Sequence, residues 1–308
     1  MSNHCNKQGN GLPALGVGIT YSPAIEPLVA GHPNEFDVVE IEPQTVWLER
    51  PGQLDQPSRY GIAGQMLEHL AQLPGHKTIH SLGVPVGGPI PPEPNQLKLL
   101  QHTIDRLDAP WMTEHLSFNS TGEFSTGFFL PPRQTMEGVD TAARNIRALQ
   151  KAFSVPVGVE TGVNYLRPRG DEMRDGEFVA SVIETADCGL LLDLHNIYCN
   201  SLNGRQAMDA YLADLPLDRV WEVHLAGGLE LDSFWLDAHS GAIPDPLFAI
   251  AREVIPDLPN LKAIIFEIFP SFVPRFGLDA VRREIERVHG LWAIRRENVL
   301  KAAVRYSP

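Results

Sequence analysis

Acids and histidines recur at one kind of position in this sequence, the end of a short apolar run. Glu42 closes FDVVEIE, His80 lies in KTIHSL, Glu114 and His115 sit in PWMTEHLSF, and Glu160 lies in VPVGVET. Further along, Asp193 and His195 close GLLLDLH with Asn196 next, Glu222 and His224 sit in RVWEVHLA, and Glu267 sits in LKAIIFEIF. A loop beyond the seventh run adds Asp237 and His239. Carboxylates crowded into one low-dielectric place repel each other and lose their hydration, and bound cations resolve that conflict. A His/Asp/Glu set favours iron, manganese or zinc over a Cys-built structural zinc site. The pattern therefore predicts two or three divalent ions, bridged by carboxylates and capped by imidazoles.

Those side chains need elements that converge. The runs span Leu15–Tyr21, Phe36–Glu42, Lys77–Leu82, Pro110–Phe118, Val155–Thr161, Gly189–His195, Arg219–Ala226 and Leu261–Phe269. Short and rich in Val, Ile and Leu, they have the character of buried parallel strands. Amphipathic stretches separate most of them, among them Gly64–Leu73, Asn95–Leu107, Asp140–Phe153, Phe178–Ala186 and Leu278–Val304, with Asp140 and Asp279 as expected N-caps. Eight strands alternating with helices predict an α/β fold, a (β/α)8 TIM barrel. A doubly wound sheet is disfavoured because no glycine-rich dinucleotide or P-loop motif follows a strand.

Barrel enzymes build their sites at the C-terminal ends of the strands, so seven of the eight runs would deliver an acid or histidine to one bowl. Period-two alternation puts Asp193 with His195, Glu222 with His224, and Glu40 with Glu42, leaving Glu40 and Glu222 a layer deeper. An arginine in the barrel floor is the expected alternative partner of Glu222. One ion is expected between Glu160, Asp193, His224 and Glu267. The others are expected among His80, Glu114, His195, Asn196, Asp237 and His239, with Glu42 as a further carboxylate. His195 and His115 are the candidate catalytic residues, a supporting role being the alternative for His115. Of the cysteines, Cys188 reads as core, and Cys199 lies near the site without a dedicated base.

The formal charge of −13 argues against a nucleic-acid surface. Three widely spaced cysteines fit a reducing cytoplasm rather than a disulfide framework. No signal peptide and no membrane span are expected. Residues 1–308 are read as one barrel domain, with 1–13 as an N-terminal tail. The loops Gly83–Pro94 and Gly227–Leu236 are expected to close over a channel lined by Tyr198, Trp235 and Phe272.

From about Leu15 to about Arg287 the sequence resembles the multinuclear non-haem iron-dependent oxidases. The resemblance rests on GVGITYSP, HSLG from His80, EHLSF from Glu114, the Glu160 strand, LLLDLHNIY from Leu190, EVHLAG from Glu222, DAH from Asp237 and FEI from Phe266. It implies a xylose-isomerase-like barrel holding two or three iron ions, with zinc or manganese as alternatives. It also implies an enzyme that uses dioxygen to modify a residue, commonly cysteine, of a ribosomally made precursor peptide, often with a separate peptide-recognition partner. The chain departs from that pattern at Glu42, where the family has histidine, at Glu160-Thr161 in place of Glu-Asn, and at His195-Asn196 in place of Asn-Asn. A metal-dependent sugar isomerase, epimerase or hydrolase on the same barrel, and a scaffold without catalysis, are the competing readings.

Overall fold

The computed structural model describes residues 11–50, 60–121 and 124–305. Cys5 and most of the expected N-terminal tail fall outside the described residues. Eight parallel strands close a barrel: β1 (Gly16–Thr20), β2 (Val38–Ile41), β3 (His76–Ser81), β4 (Met112–His115), β5 (Val157–Glu160), β6 (Gly189–Asp193), β7 (Val220–Ala226) and β8 (Ala263–Glu267). Each neighbours the next in sequence, and β8 pairs with β1. The chain is thus a (β/α)8 barrel, with helices between consecutive strands.

Alternation along each strand sorts side chains into two sets. Val17, Ile19, Val39, Ile41, Ile79, Met112, Val157, Val159, Val223, Leu225, Ile264 and Phe266 belong to the large core between barrel and helices. Residues of the other parity face the barrel interior, and at its floor Val38, Trp111, Ala263 and Ile265 form a second cluster that Trp221 joins. The β6–β7 register shifts at Leu190–Leu191, where Trp221 sits. Gly189 is required there, because a Cβ on it would lie 2.4 Å from the Trp221 ring. Above this apolar floor the same interior parity carries Glu40, Thr113, His115, Glu160, Glu222, His224 and Glu267. Position along the strand therefore separates packing from chemistry.

Three details differ from expectation. The helix expected from Asp140 is Met136–Ala152, capped by Thr135, whose side chain accepts from the Gly138 amide. Asp279 lies in the first turn of Leu278–Arg305 and serves its dipole there. Strand β6 stops at Asp193, which caps the helix Leu194–Leu202 by accepting from the Asn196 amide at 2.8 Å. His195 and Asn196 consequently project from a helical turn and not from a strand.

Among the described residues three two-stranded antiparallel sheets follow β2, β4 and β7: Trp47–Glu49 with Tyr60–Ile62, Phe118–Thr121 with Phe124–Leu130, and Leu229–Leu231 with Phe234–Leu236. The last of these accounts for most of the expected loop 227–236. Among the described residues no helix is long and apolar enough to cross a membrane.

Candidate metal centre

Strand register sets the geometry. His115 on β4 is paired with Glu160 on β5, and Asp193 on β6 with His224 on β7. Parallel pairing of aligned residues brings their side chains over the same point of the bowl. His115 Nε2 stands 3.1 Å from Glu160 Oε2, and His80 Nε2 stands 3.7 Å from the same oxygen. His224 Nδ1 lies 3.2 Å from Glu267 Oε2 and 4.0 Å from Glu160 Oε1. His239 Nε2 is 2.9 Å from Asp237 Oδ1 and 3.7 Å from Glu267 Oε2.

Three of these imidazoles are oriented from behind. The Thr113 hydroxyl is 3.3 Å from the Ile79 carbonyl, to which it donates, so it accepts from His80 Nδ1 at 2.8 Å. His115 Nδ1 donates to the Ser81 carbonyl at 3.1 Å, and His224 Nε2 donates to Glu40 at 3.2 Å. This network assigns the ring protons, leaving the opposite nitrogen of each ring turned toward Glu160 or Glu267. An acceptor behind an imidazole, fixing its tautomer for a cation in front, is the usual support of a metal-binding histidine.

Donor atoms cluster accordingly. His80, His115 and Glu160 form one group able to hold an ion; Glu160, Asp193 and His224 form a second; Asp193, His239 and Glu267 form a third. Glu160 and Asp193 are thus shared between neighbouring groups. Glu160 Oε2, Asp193 Oδ2, His224 Nδ1, His239 Nε2 and Glu267 Oε2 are all buried, and none makes a well-aligned hydrogen bond despite the close contacts between them. Buried polar atoms are seldom left so, and each is costly unless something else satisfies it. The donor set fits divalent metal ions.

Without metal, protons do that work. Burial disfavours a charged imidazole, yet Glu160 and Glu114 outweigh it and push His115 up to about 9. Asp237 and Glu267 likewise overcome burial at His239, pushed up to about 10. Burial, then the charges of Glu267 and Glu40, raises Glu42 to about 7; burial, then Asp237 and Glu267, raises Asp193 to about 6. Glu267 goes the other way, to about 2, because His224 and His239 outweigh its burial.

Against this frame the expected residues divide. His80, Glu160, Asp193, His224, Asp237, His239 and Glu267 are brought together. Glu42 faces the same cavity but belongs to none of the ligand groups found among the described residues. Asn196 lies beside Glu160, its Nδ2 3.4 Å from Oε1, with its Oδ1 buried and unpartnered. Glu114 is not brought to the cluster. It has the outward parity of Met112, and its carboxylate accepts the amides of Val84 at 3.0 Å and His115 at 2.8 Å. Among the described residues no arginine meets Glu222; the indole Nε1 of Trp111 donates to it at 2.8 Å. The candidate catalytic His195 is engaged on both sides, by Asp237 at Nδ1 (2.8 Å) and by the Trp235 indole at Nε2 (3.2 Å).

A cavity of about 310 Å³ opens onto the cluster. Its apolar wall comes from Phe128, Phe129, Leu130 and Phe269, together with Tyr165, whereas the expected Tyr198, Trp235 and Phe272 do not line it. Phe129, on the Phe124–Leu130 strand, stacks on His115 with ring centroids 4.4 Å apart. Sequence reading missed this hairpin because its strand pattern merges with the end of the fourth run.

Residues 16–289 match the family described as RiPP precursor modification enzyme MbnB/TglH/ChrH. The chain belongs to this family. It is 30% identical over 223 residues to a UPF0276 protein of Chromobacterium violaceum, a match covering 72% of this chain and 80% of that one. A UPF0276 protein of Shewanella loihica is 31% identical over 267 residues, covering 84% of this chain and 87% of that one. A UPF0276 protein of Streptomyces avermitilis is 29% identical over 253 residues, and there the chain spans only 49% of its relative's length. The fold is shared with a xylose isomerase domain containing protein of Salmonella typhimurium, with a TM-score of 0.58 at 13% identity over 91% of this chain and 97% of that one. In this member of the MbnB/TglH/ChrH family, the departures noted in the sequence all fall in the cluster: Glu42 faces the cavity and feels the charges of Glu267 and Glu40, Thr161 exchanges hydrogen bonds with the Asp193 backbone, and His195 stands against Asp237.

Proposed function

We propose that this chain is a multinuclear iron-dependent oxidase that uses dioxygen to modify a residue, cysteine first among candidates, of a ribosomally made precursor peptide. A separate recognition protein would help to deliver that peptide. The observation that carries the reading is the set of three imidazoles, His80, His115 and His224, each tied from behind and turned toward shared carboxylates. Membership of a family that modifies precursor peptides supports the substrate class.

Glu160, Asp193, His224 and Glu267 would hold one ion. His80 and His115 with Glu160 would hold a second, and His239 with Asp193, Glu267 and the adjoining Asp237 a third. Iron held there would bind and activate dioxygen, which is the oxidant. The protein's own part is positional: Thr113, the Ser81 carbonyl and Glu40 fix the tautomers, and Phe128 and Phe129 shield the bowl from water. His115, which both faces the cavity and adjoins Glu160, is the better placed of the two candidate catalytic histidines. A cavity of about 310 Å³ suits a side chain with a few flanking atoms and no folded partner.

The test supplies iron-loaded protein, reductant, a Cys-containing peptide encoded beside its gene, and that peptide's partner. Peptide mass and oxygen uptake should change together. Equal turnover without oxygen, or with the cysteine replaced by serine, would contradict the reading and favour isomerase or hydrolase chemistry.

A further inference from the structure

A second cavity, of about 470 Å³, adjoins the one over the cluster, and Leu82 lines both. Segments that follow three neighbouring strands build it: Trp47 and Tyr60 after β2, residues of the stretch 83–93 after β3, and residues 118–120 after β4. Gln44 ties this wall to the cluster. Its Nε2 donates to Ser81 Oγ at 3.1 Å and its Oε1 accepts the Leu82 amide at 2.9 Å, while the Ser81 carbonyl holds His115. Gly83 is required beside it, because a Cβ there would lie 2.4 Å from Gln44 Nε2.

Two polar atoms of the wall are left over. Trp47 Nε1, a donor, and Glu93 Oε2, an acceptor, are buried with no hydrogen-bond partner among the described residues. Folded chains seldom leave such atoms unpaired. Helix capping does not absorb Glu93, which precedes the helix Pro94–Leu107 but makes no side-chain cap bond to it. Among the described residues that line the cavity it is the one charged side chain, in a chain of formal charge −13. Trp47 and Tyr60 add an aromatic wall, their ring centroids 5.4 Å apart. Pro85, Pro91 and Pro92 stiffen the stretch 83–93.

An occupant that satisfies both atoms accepts from the indole and donates to the carboxylate. An anion is repelled by Glu93. A neutral amide would fill both roles yet leave the charge of Glu93 uncompensated, and a charge-assisted bond is roughly twice as strong as a neutral one. A peptide with a basic residue meets every demand: a backbone carbonyl for Trp47, a cation for Glu93, and an aliphatic stem for the aromatic wall.

We infer that this cavity is a subsite for a lysine or arginine of the peptide substrate, a few residues from the side chain that enters the neighbouring cavity. An extended peptide advances about 3.3–3.6 Å per residue, which suits two adjoining cavities. The inference rests on the reading that the substrate is a peptide, and it adds a sequence requirement beside the modified residue.

The experiment measures binding to metal-free full-length protein by calorimetry. The probes are acetyl-Arg-Gly-Cys-Gly-Arg amide and the same peptide with citrulline, neutral and nearly the same shape, at both arginines. The arginine peptide should bind roughly tenfold more tightly. Glu93→Gln should reduce that preference to about twofold or less, and Trp47→Phe, which keeps a ring but removes the donor, should weaken both peptides. Equal affinity for the two peptides, a preference that survives Glu93→Gln, or no binding at all overturns the inference. Iron and oxygen play no part in this readout, so the two readings fail separately. An arginine peptide that binds with the expected preference but is never oxidised supports the subsite and contradicts the oxidase alone. Oxidation that proceeds equally well with the citrulline peptide contradicts the subsite alone.

Discussion

His115 Nε2 and Glu160 Oε2 stand 3.1 Å apart on paired positions of β4 and β5. The same carboxylate reaches His80 and His224, so side chains from β3, β4 and β7 meet at one residue of β5. A proton satisfies this junction in the metal-free chain, and a cation would displace it. That competition produces the first prediction.

Metal-free protein should lose stability as pH rises from about 6 to about 9. His115 and His239 hold protons more tightly folded, to about 9 and about 10, than an unfolded histidine does near 6.5. Their contribution is complete below about 6.5 and is lost as pH passes through the folded values. Glu42 and Asp193, raised to about 7 and about 6, act with the same sign, because ionising them works against the buried state. Metal-loaded protein should follow the opposite trend, since its ligands must be deprotonated. Thermal unfolding with and without chelator at both pH values is the check. A chelated protein whose Tm is level across the range would contradict this.

Glu114 and His80 should separate cleanly. Glu114→Gln removes an acceptor from the Val84 and His115 amides and should cost about 1–3 kcal/mol of stability, with metal content unchanged. His80→Ala should instead lower metal content while leaving the fold in place. Elemental analysis alongside denaturant unfolding distinguishes them, and loss of metal in Glu114→Gln would restore that residue as a ligand.

In the floor, Trp111→Phe keeps the ring but removes the donor to Glu222. A buried carboxyl left without its partner should destabilise the protein by about 1–3 kcal/mol. An unchanged midpoint in urea would mean that Glu222 finds another donor.

Alternation explains how much of this was legible in the sequence. Strands of parity-sorted Val, Ile and Leu with polar ends announced the barrel, and the strand-end acids announced the bowl. The same rule, applied to β4, turns Glu114 outward once His115 faces in, because adjacent strand residues take opposite faces. His195 escaped the rule because Asp193 caps a helix and ends the strand at that point. The partners behind the histidines were harder to see. Thr113 and Glu40 sit two residues below interior side chains, but the Ser81 carbonyl is backbone and leaves no trace in residue type. Trp235 reaches His195 only because a hairpin folds back across the helix.

The most direct measurement is the metal content of anaerobically purified protein, compared with that of Glu160→Ala. Glu160 is shared by two ligand groups, so the parent protein should hold at least two ions per chain and the variant should lose more than one. A folded parent protein free of bound metal, or a Glu160→Ala variant with full metal content, would contradict this.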